Sequence, residues 1–251
     1  EQLRASMAAR LQRRGYYGFS KEYITFYADT AANSKDVDLT LELHAPPARG
    51  SASEDSTAAH RVHRIRNVIF ITDYHQGQPV SDAVAQAEEI QRDKEGYITV
   101  YGDDHYIKPS VLIEKCFITP GSRYNSAMVD RTYEYMSQLG IIRSINIELQ
   151  PVSTDDGNTA LDAYILLIRN RKQSVAFEVE GTNSEGDLGF GVGVTYQHRN
   201  LFHGSQLFTA KFRSSYESLS GNLDNFINKR YTEQAAEVGI TFPRFIFPFL
   251  S

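Results

Sequence analysis

Asp103-Asp104-His105 sets three potential metal ligands side by side. A metal site needs several such groups converging on one point; the surrounding YGDDHY reads instead as solvated loop. Asp155-Asp156-Gly157-Asn158 resembles half of a calcium loop, but the acidic ligand that closes such a loop is missing and a hairpin turn explains the run better. His198 and His203 flank the segment Arg199–Phe202, where a turn or surface histidine is the simpler reading than a ligand pair. Gly189-Phe190-Gly191-Val192-Gly193 lacks the strand–turn–helix context of a nucleotide site; glycines at alternate strand positions account for it. The single cysteine, Cys116, lies in the apolar run VLIEKCFI, which makes it a buried small hydrophobe and rules out an internal disulfide. No nucleophile elbow occurs. These residues point away from an enzyme, and no metal or cofactor is expected.

The rest of the chain must then be read for what it builds. Hydrophobic residues make up 41% and charged residues 23% of the 251, enough to form packed cores. A net charge of −5 speaks against nucleic acid as a partner, because phosphate binding needs a basic surface. With 15 Tyr, 14 Phe and no Trp, the aromatics suit strands and membrane interfaces, though soluble β-proteins use them too. No apolar run reaches the roughly 18 residues of a transmembrane helix. The opening EQLRASMAARLQRRGYYGF reads as the middle of a helix, with Leu3, Met7 and Leu11 on one face and Gly15 as its C-cap, and not as a signal peptide. The expectation is that the native chain starts upstream.

Four zones follow. Residues 1–44 read as helix–strand–strand, with β-rich Tyr23–Tyr27 and an alternating run at Val37, Leu39, Leu41 and Leu43, joined by the polar turn DTAANSKD. Residues 45–59 are small, polar and Pro-containing, a linker. Residues 60–170 open on a strong strand at 62–71 and pass through a weakly ordered insert, 72–107, with a helical stretch SDAVAQAEEIQRD and a short strand in GYITVYGDDHY. A short helix begins at Pro109, and a second is capped by Asn125 or Ser126, with Val129, Tyr133 and Met136 on its inner face. Two strands around STDDGN close the zone. In residues 173–251, apolar residues alternate with polar ones or glycine over segments near the roughly 9–11 residues of a membrane strand. A soluble antiparallel sheet with one face on a core would show the same period.

Taken in order, these parts resemble the BamA/TamA-type outer-membrane assembly superfamily, whose POTRA modules of β–α–α–β–β order precede a C-terminal β-barrel. The first zone is similar to the back half of a POTRA module, with helix 3–14 and strands 23–28 and 37–43. The second is similar to a membrane-proximal one, with strand 62–71, helix 109–117, Pro120-Gly121-Ser122-Arg123-Tyr124, a helix closing on Leu139-Gly140, and strands 143–150 and 160–168. FEVEGTNSEGDLGFGVG (177–193) resembles the first hairpin of the family's barrel, and Arg199-Asn200-Leu201-Phe202-His203-Gly204 its following periplasmic turn. The fold class so implied is α+β POTRA modules followed by the first antiparallel strands, about four, of a transmembrane β-barrel. Since a barrel needs roughly eight strands or more, the chain is expected to continue beyond Ser251. The insert at 72–107 departs from the family pattern and reads in part as a loop of unassigned role.

The resemblance implies outer-membrane β-barrel assembly, located in the outer membrane of a Gram-negative bacterium with the N-terminal modules in the periplasm. Its partners would be unfolded outer-membrane protein clients, outer-membrane lipids and accessory lipoproteins. Clients would add as strands to exposed sheet edges, the candidates being Tyr23, Ile24, Thr25 and Phe26 and also Ile145, Asn146, Ile147 and Leu149. Ser174, Val175, Ala176, Phe177, Glu178 and Val179 would form a short first barrel strand acting as a lateral gate, weakened by the nearby Gly181. The alternatives are a secretion pore of the same superfamily and a soluble POTRA-like binding module.

Overall fold

The computed structural model describes residues 1–29, 37–46, 60–153, 159–184, 187–218 and 230–243. Most of the linker 45–59, the turn at 30–36, the calcium-like run at 155–158 and the loop at 219–229 lie outside the described residues. The fold is mixed α+β, mostly sheet, in three sheets.

The first unit contains α1 (Gln2–Gln12), a 3-10 turn (Lys21–Tyr23), β1 (Ile24–Asp29) and β2 (Asp38–Leu43). Ala8, with Met7 and Leu11 beside it, packs on Phe19 and Ile24. Leu3, expected on the same face, is exposed, since this small core ends one turn short of it. Tyr23 lies in the 3-10 turn, so the strand begins at Ile24, whose side chain is buried. Gly15 lies beyond the helix C-cap, Arg13, with a φ of +105°. A Cβ there would also stand 2.6 Å from Val62 Cγ1, so both backbone and space call for glycine.

The second unit runs β3 (Arg64–Ile71), α2 (Val80–Ala85), β4 (Glu89–Arg92), β5 (Tyr97–Tyr101), α3 (Pro109–Glu114), α4 (Ser126–Ser137), β6 (Ile142–Ser153) and β7 (Thr159–Arg169). Its five strands lie in the order β4-β5-β3-β7-β6; β3 is parallel to β5 and β7, and the outer pairs are antiparallel. Alternation along β3 sends Val68 and Phe70 to one side, against α3 and α4, and Ile69 and Ile71 to the other, against α2. Coverage on both faces explains the unbroken VIFI run. The insert is loop at 73–79 and 102–107 and regular structure between them. It supplies α2, β4 and β5, two added strands and the cover for the second face. Its predicted helix stops at Ala85, and Glu89–Arg92 form a strand, because pairing of Ile90 with Val100 outweighs the modest helix preference of Glu, Gln and Arg.

On α4, Asn125 caps the helix by accepting the Ala127 amide at 3.0 Å. Thr132 and Met136 are fully buried, but Tyr133 is 52% exposed, against its predicted inward place. The position facing inward is Thr132, whose hydroxyl accepts the Phe117 amide (2.9 Å) and donates to the Met128 carbonyl (2.8 Å). A satisfied polar residue thus takes the place that hydrophobicity assigned to tyrosine.

The third unit is an antiparallel sheet of four strands in sequence order: β8 (Gln173–Ser184), β9 (Asp187–His198), β10 (Leu207–Ser218) and β11 (Arg230–Thr241). Each has 12 residues. The predicted short first strand is corrected: pairing with β9 carries β8 through Gly181, which lies opposite Phe190, to Ser184.

Candidate functional site

The sheet of the third unit has two unlike faces. Register places Phe177, Val194, Phe212 and Ala236 in one row at mid-strand. Val175, Val179, Phe190, Val192, Tyr196, Phe208, Val238 and Ile240 share that face by alternation. The opposite face carries Glu178, Glu180, Lys211, Arg213 and Glu237 around Gly191 and Gly193. There Arg213 and Glu180 form an ion pair across the glycine-bearing strand β9, and Lys211 stands 3.8 Å from Glu237. Among the described residues, no side chain beyond Leu167 joins a hydrophobic core cluster. Phe177 is 78% and Val179 74% exposed. Among the described residues nothing covers this face.

Two kinds of strand edge are available. In the second unit's sheet, β4 is four residues long with Glu89 and Arg92 at its ends, a short and charged edge of the kind that resists pairing. β6, at the other edge, is 12 residues long. Of the predicted edge residues, Ile145, Asn146, Ile147 and Leu149 fall on β6; Ile24, Thr25 and Phe26 fall on β1, half of a two-stranded sheet with an outer edge on each strand. Ser174, Val175, Ala176, Phe177, Glu178 and Val179 fall on β8, the edge of the third unit's sheet. The three groups do not converge on one site; they lie on three separate sheets.

Two junctions hold the units together, and neither was legible in the sequence. At the first, the Tyr17 hydroxyl donates to the Leu149 carbonyl at 3.0 Å. The Tyr17 ring meets Tyr124 edge-on (5.3 Å, 87°) and His63 (5.8 Å, 69°), and the His63 amide donates to the Gly15 carbonyl at 2.8 Å. Burial pushes the His63 imidazole below its ordinary pKa, opposed by hydrogen bonds with the Arg61 and Gly15 backbone, and its Nδ1 is buried without a partner among the described residues.

At the second, the turn Arg199–Ser205 folds back onto the insert. Asn200, buried, donates through Nδ2 to the Tyr106 carbonyl and accepts the Ser205 amide at 3.0 Å. Ser205 Oγ accepts the Ile141 amide (3.4 Å), and the His203 carbonyl accepts the Lys108 amide (3.1 Å). His203 and Ser205 both take positive φ, 58° and 59°, a local strain that these contacts stabilise. Tyr106, whose hydroxyl donates to the Thr72 carbonyl at 2.7 Å, is wholly buried, and burial raises its phenol far above the ordinary range. Asp104 accepts from Lys172 (2.7 Å) and Arg169 (2.9 Å); the Lys172 hydrogen bond, with the charge of both cations, holds its carboxyl below the usual range. Thus the segment just past the DDH run, Tyr106 to Lys108, seats this turn, while Asp103 and His105 themselves are exposed in a loop. A polar Asn and Ser inside RNLFHGS were the only sequence signal, and turns use both residues routinely. Cys116 donates to the Ile118 carbonyl at 3.3 Å, and burial pushes its thiol up to about 11, away from nucleophilic chemistry.

No protein-family model matches the sequence, and no curated protein matches it. Among solved structures, the chain is similar to BamA from Haemophilus ducreyi lacking POTRA domains 1-3, at 11% identity and a TM-score of 0.44, over 88% of this chain and 37% of that one. It is similar to CdiB from Acinetobacter baumannii at 12% and 0.36, over 62% of this chain and 41% of that one. It is similar to BamA POTRA3-5 from Haemophilus influenzae at 11% and 0.23, over 66% and 79%. The chain spans about two fifths of the length of the first two. At these identities and scores the likenesses carry nothing about activity.

Proposed function

We propose that the chain is part of an outer-membrane β-barrel assembly protein of the BamA/TamA type. In this reading the third unit is a stretch of barrel wall, the first unit is the back half of a periplasmic POTRA module and the second a membrane-proximal one, spanning about 60–170 and folding on its own core. The observation that carries it is the uncovered apolar face backed by a charged, glycine-lined one. Lipid would cover the first, and water inside the barrel would solvate the second. Strand length agrees: 12 residues at ~3.3 Å each reach ~40 Å, and a tilt of ~45° brings that to ~28 Å, against a hydrocarbon core of ~30 Å. Lipid also demands that the outer edges of β8 and β11 be paired, since each unpaired backbone group there costs several kcal/mol.

Within that frame β6 captures unfolded outer-membrane protein clients by strand addition, which asks only for backbone hydrogen bonds and so suits many sequences. The edge of β8 acts as the lateral gate. Its pairing along all 12 residues with β9 gives the gate a firm inner neighbour, so that any weakness lies at its outer edge. Accessory lipoproteins and outer-membrane lipids are the remaining partners of this reading.

The test is an environment scan of the full chain reconstituted in lipid vesicles, with a fluorophore placed in turn at residues 175–180. Val175, Phe177 and Val179 should be quenched by brominated lipid, and Ala176, Glu178 and Glu180 by aqueous iodide. If all six positions answer to iodide alone, the sheet is a soluble one and the assembly reading is lost.

A further inference from the structure

Pro151 shows which way the backbone of β6 faces. Proline has no N–H to give to a ladder, so in a paired strand its nitrogen belongs on the outer side. Outward and inward backbone groups alternate along an antiparallel strand, and the pairing with β7 runs without a shift from Ser144 to Ser153. Ile145, Ile147 and Leu149 therefore turn both N–H and C=O outward, in step with Pro151. The open edge is bounded by the register shift between Ile142 and Ser144 at one end and by the proline at the other. Leu149 is the last residue of that edge with both an N–H and a C=O to offer, and its carbonyl is taken by the Tyr17 hydroxyl at 3.0 Å. The phenol thereby occupies the acceptor that the amide of an incoming strand would use, at about the same separation of ~2.9 Å. Tyr17 itself belongs to the first unit, two residues past Gly15, whose carbonyl holds the His63 amide at 2.8 Å.

We propose that Tyr17 is a releasable cap on the β6 edge, so that a client strand pairing through Leu149 displaces the phenol and loosens the docking of the first unit on the second. The cap rests on the reading of β6 as the client edge. It gives the edge two lengths: a short one while the units are docked, and a longer one when Tyr17 leaves. Capture of a client is thereby coupled to the angle between the units, through one hydroxyl and the two aromatic contacts that steer it.

The experiment uses the full chain in detergent and a fluorescein-labelled peptide copying residues 173–184, an extended segment of alternating pattern. Tyr17→Phe keeps the ring and its contacts and removes only the hydroxyl. It should bind the peptide about threefold to tenfold more tightly, the range of one neutral hydrogen bond. In the wild-type chain the peptide should speed hydrogen exchange at the His63 amide, which a purely structural Tyr17 would leave unchanged. Ile147→Pro removes an outward donor and tests the edge; should it not fold, N-methylation of alternate amides of the peptide tests the same pairing from the peptide's side. If the proline weakens binding while Tyr17→Phe changes neither affinity nor the His63 response, the cap is wrong and the edge stands. If the proline has no effect, or the peptide binds neither protein, the edge reading falls and the cap with it.

Discussion

Placing a charge in the mid-strand row separates a lipid-facing sheet from a water-facing one more sharply than any other substitution in this chain. Phe212 sits at the middle of β10, in register with Val194 and Ala236, and is 49% exposed. In water, Phe212→Arg at a half-exposed strand position changes stability by only ~0.5 kcal/mol. In a bilayer an arginine near the midplane of a barrel costs ~2–4 kcal/mol, a factor of roughly 30 to 700 in the folding equilibrium. Depth supplies an internal control. Phe208 shares the face but is the second residue of β10, so Phe208→Arg should cost only ~0–1 kcal/mol near the interface. Ser215→Arg, on the opposite face in register with Gly191, should be near neutral. Urea unfolding in vesicles, followed by the shift in electrophoretic mobility between folded and unfolded chains, reads all three. Equal effects at 208, 212 and 215, or a cost at 212 below ~1 kcal/mol, would refute the lipid assignment.

The second unit offers a paired test of its core. Met136→Asp should abolish the cooperative melt of this unit by burying an unpaired charge, whereas Tyr133→Asp should move stability by less than ~1 kcal/mol, since Tyr133 is half exposed. Asn200→Ala leaves the Tyr106 carbonyl and the Ser205 amide without their partner. It should cost ~2–4 kcal/mol and speed exchange at the Lys108 and Ile141 amides, with no change at β3. Acid should loosen the junction of the first two units. His63 has a folded pKa below its ordinary value of 6.5, so its contribution is complete above that value and is lost as pH falls through it, when the unfolded chain takes the proton first. A melt of this junction that falls between pH 7.5 and 5.5 in the wild type, and stays flat in His63→Gln, is the expected result; a rise on acidification would contradict it.

Much of the local structure could be read from side-chain period alone. The alternation at 188–196 and 208–216 and the helix that carries Met136 each depend on neighbours close in the chain, and there the elements match the prediction. What the sequence alone determined is the two-faced character of the last strands, because a period of two needs no knowledge of what lies opposite. Three things required the tertiary structure. The insert 72–107 became helix and strand because β3 had an open edge to offer, a fact set by residues far from it in sequence. Tyr133 turned outward because Thr132 could satisfy the Phe117 amide. The seats of Tyr17 and Asn200 were invisible because a hydrogen bond across 132 or 94 positions leaves no local periodicity. Short-range pattern sets which face of an element is apolar, and only long-range packing decides what that face, or its edge, will meet.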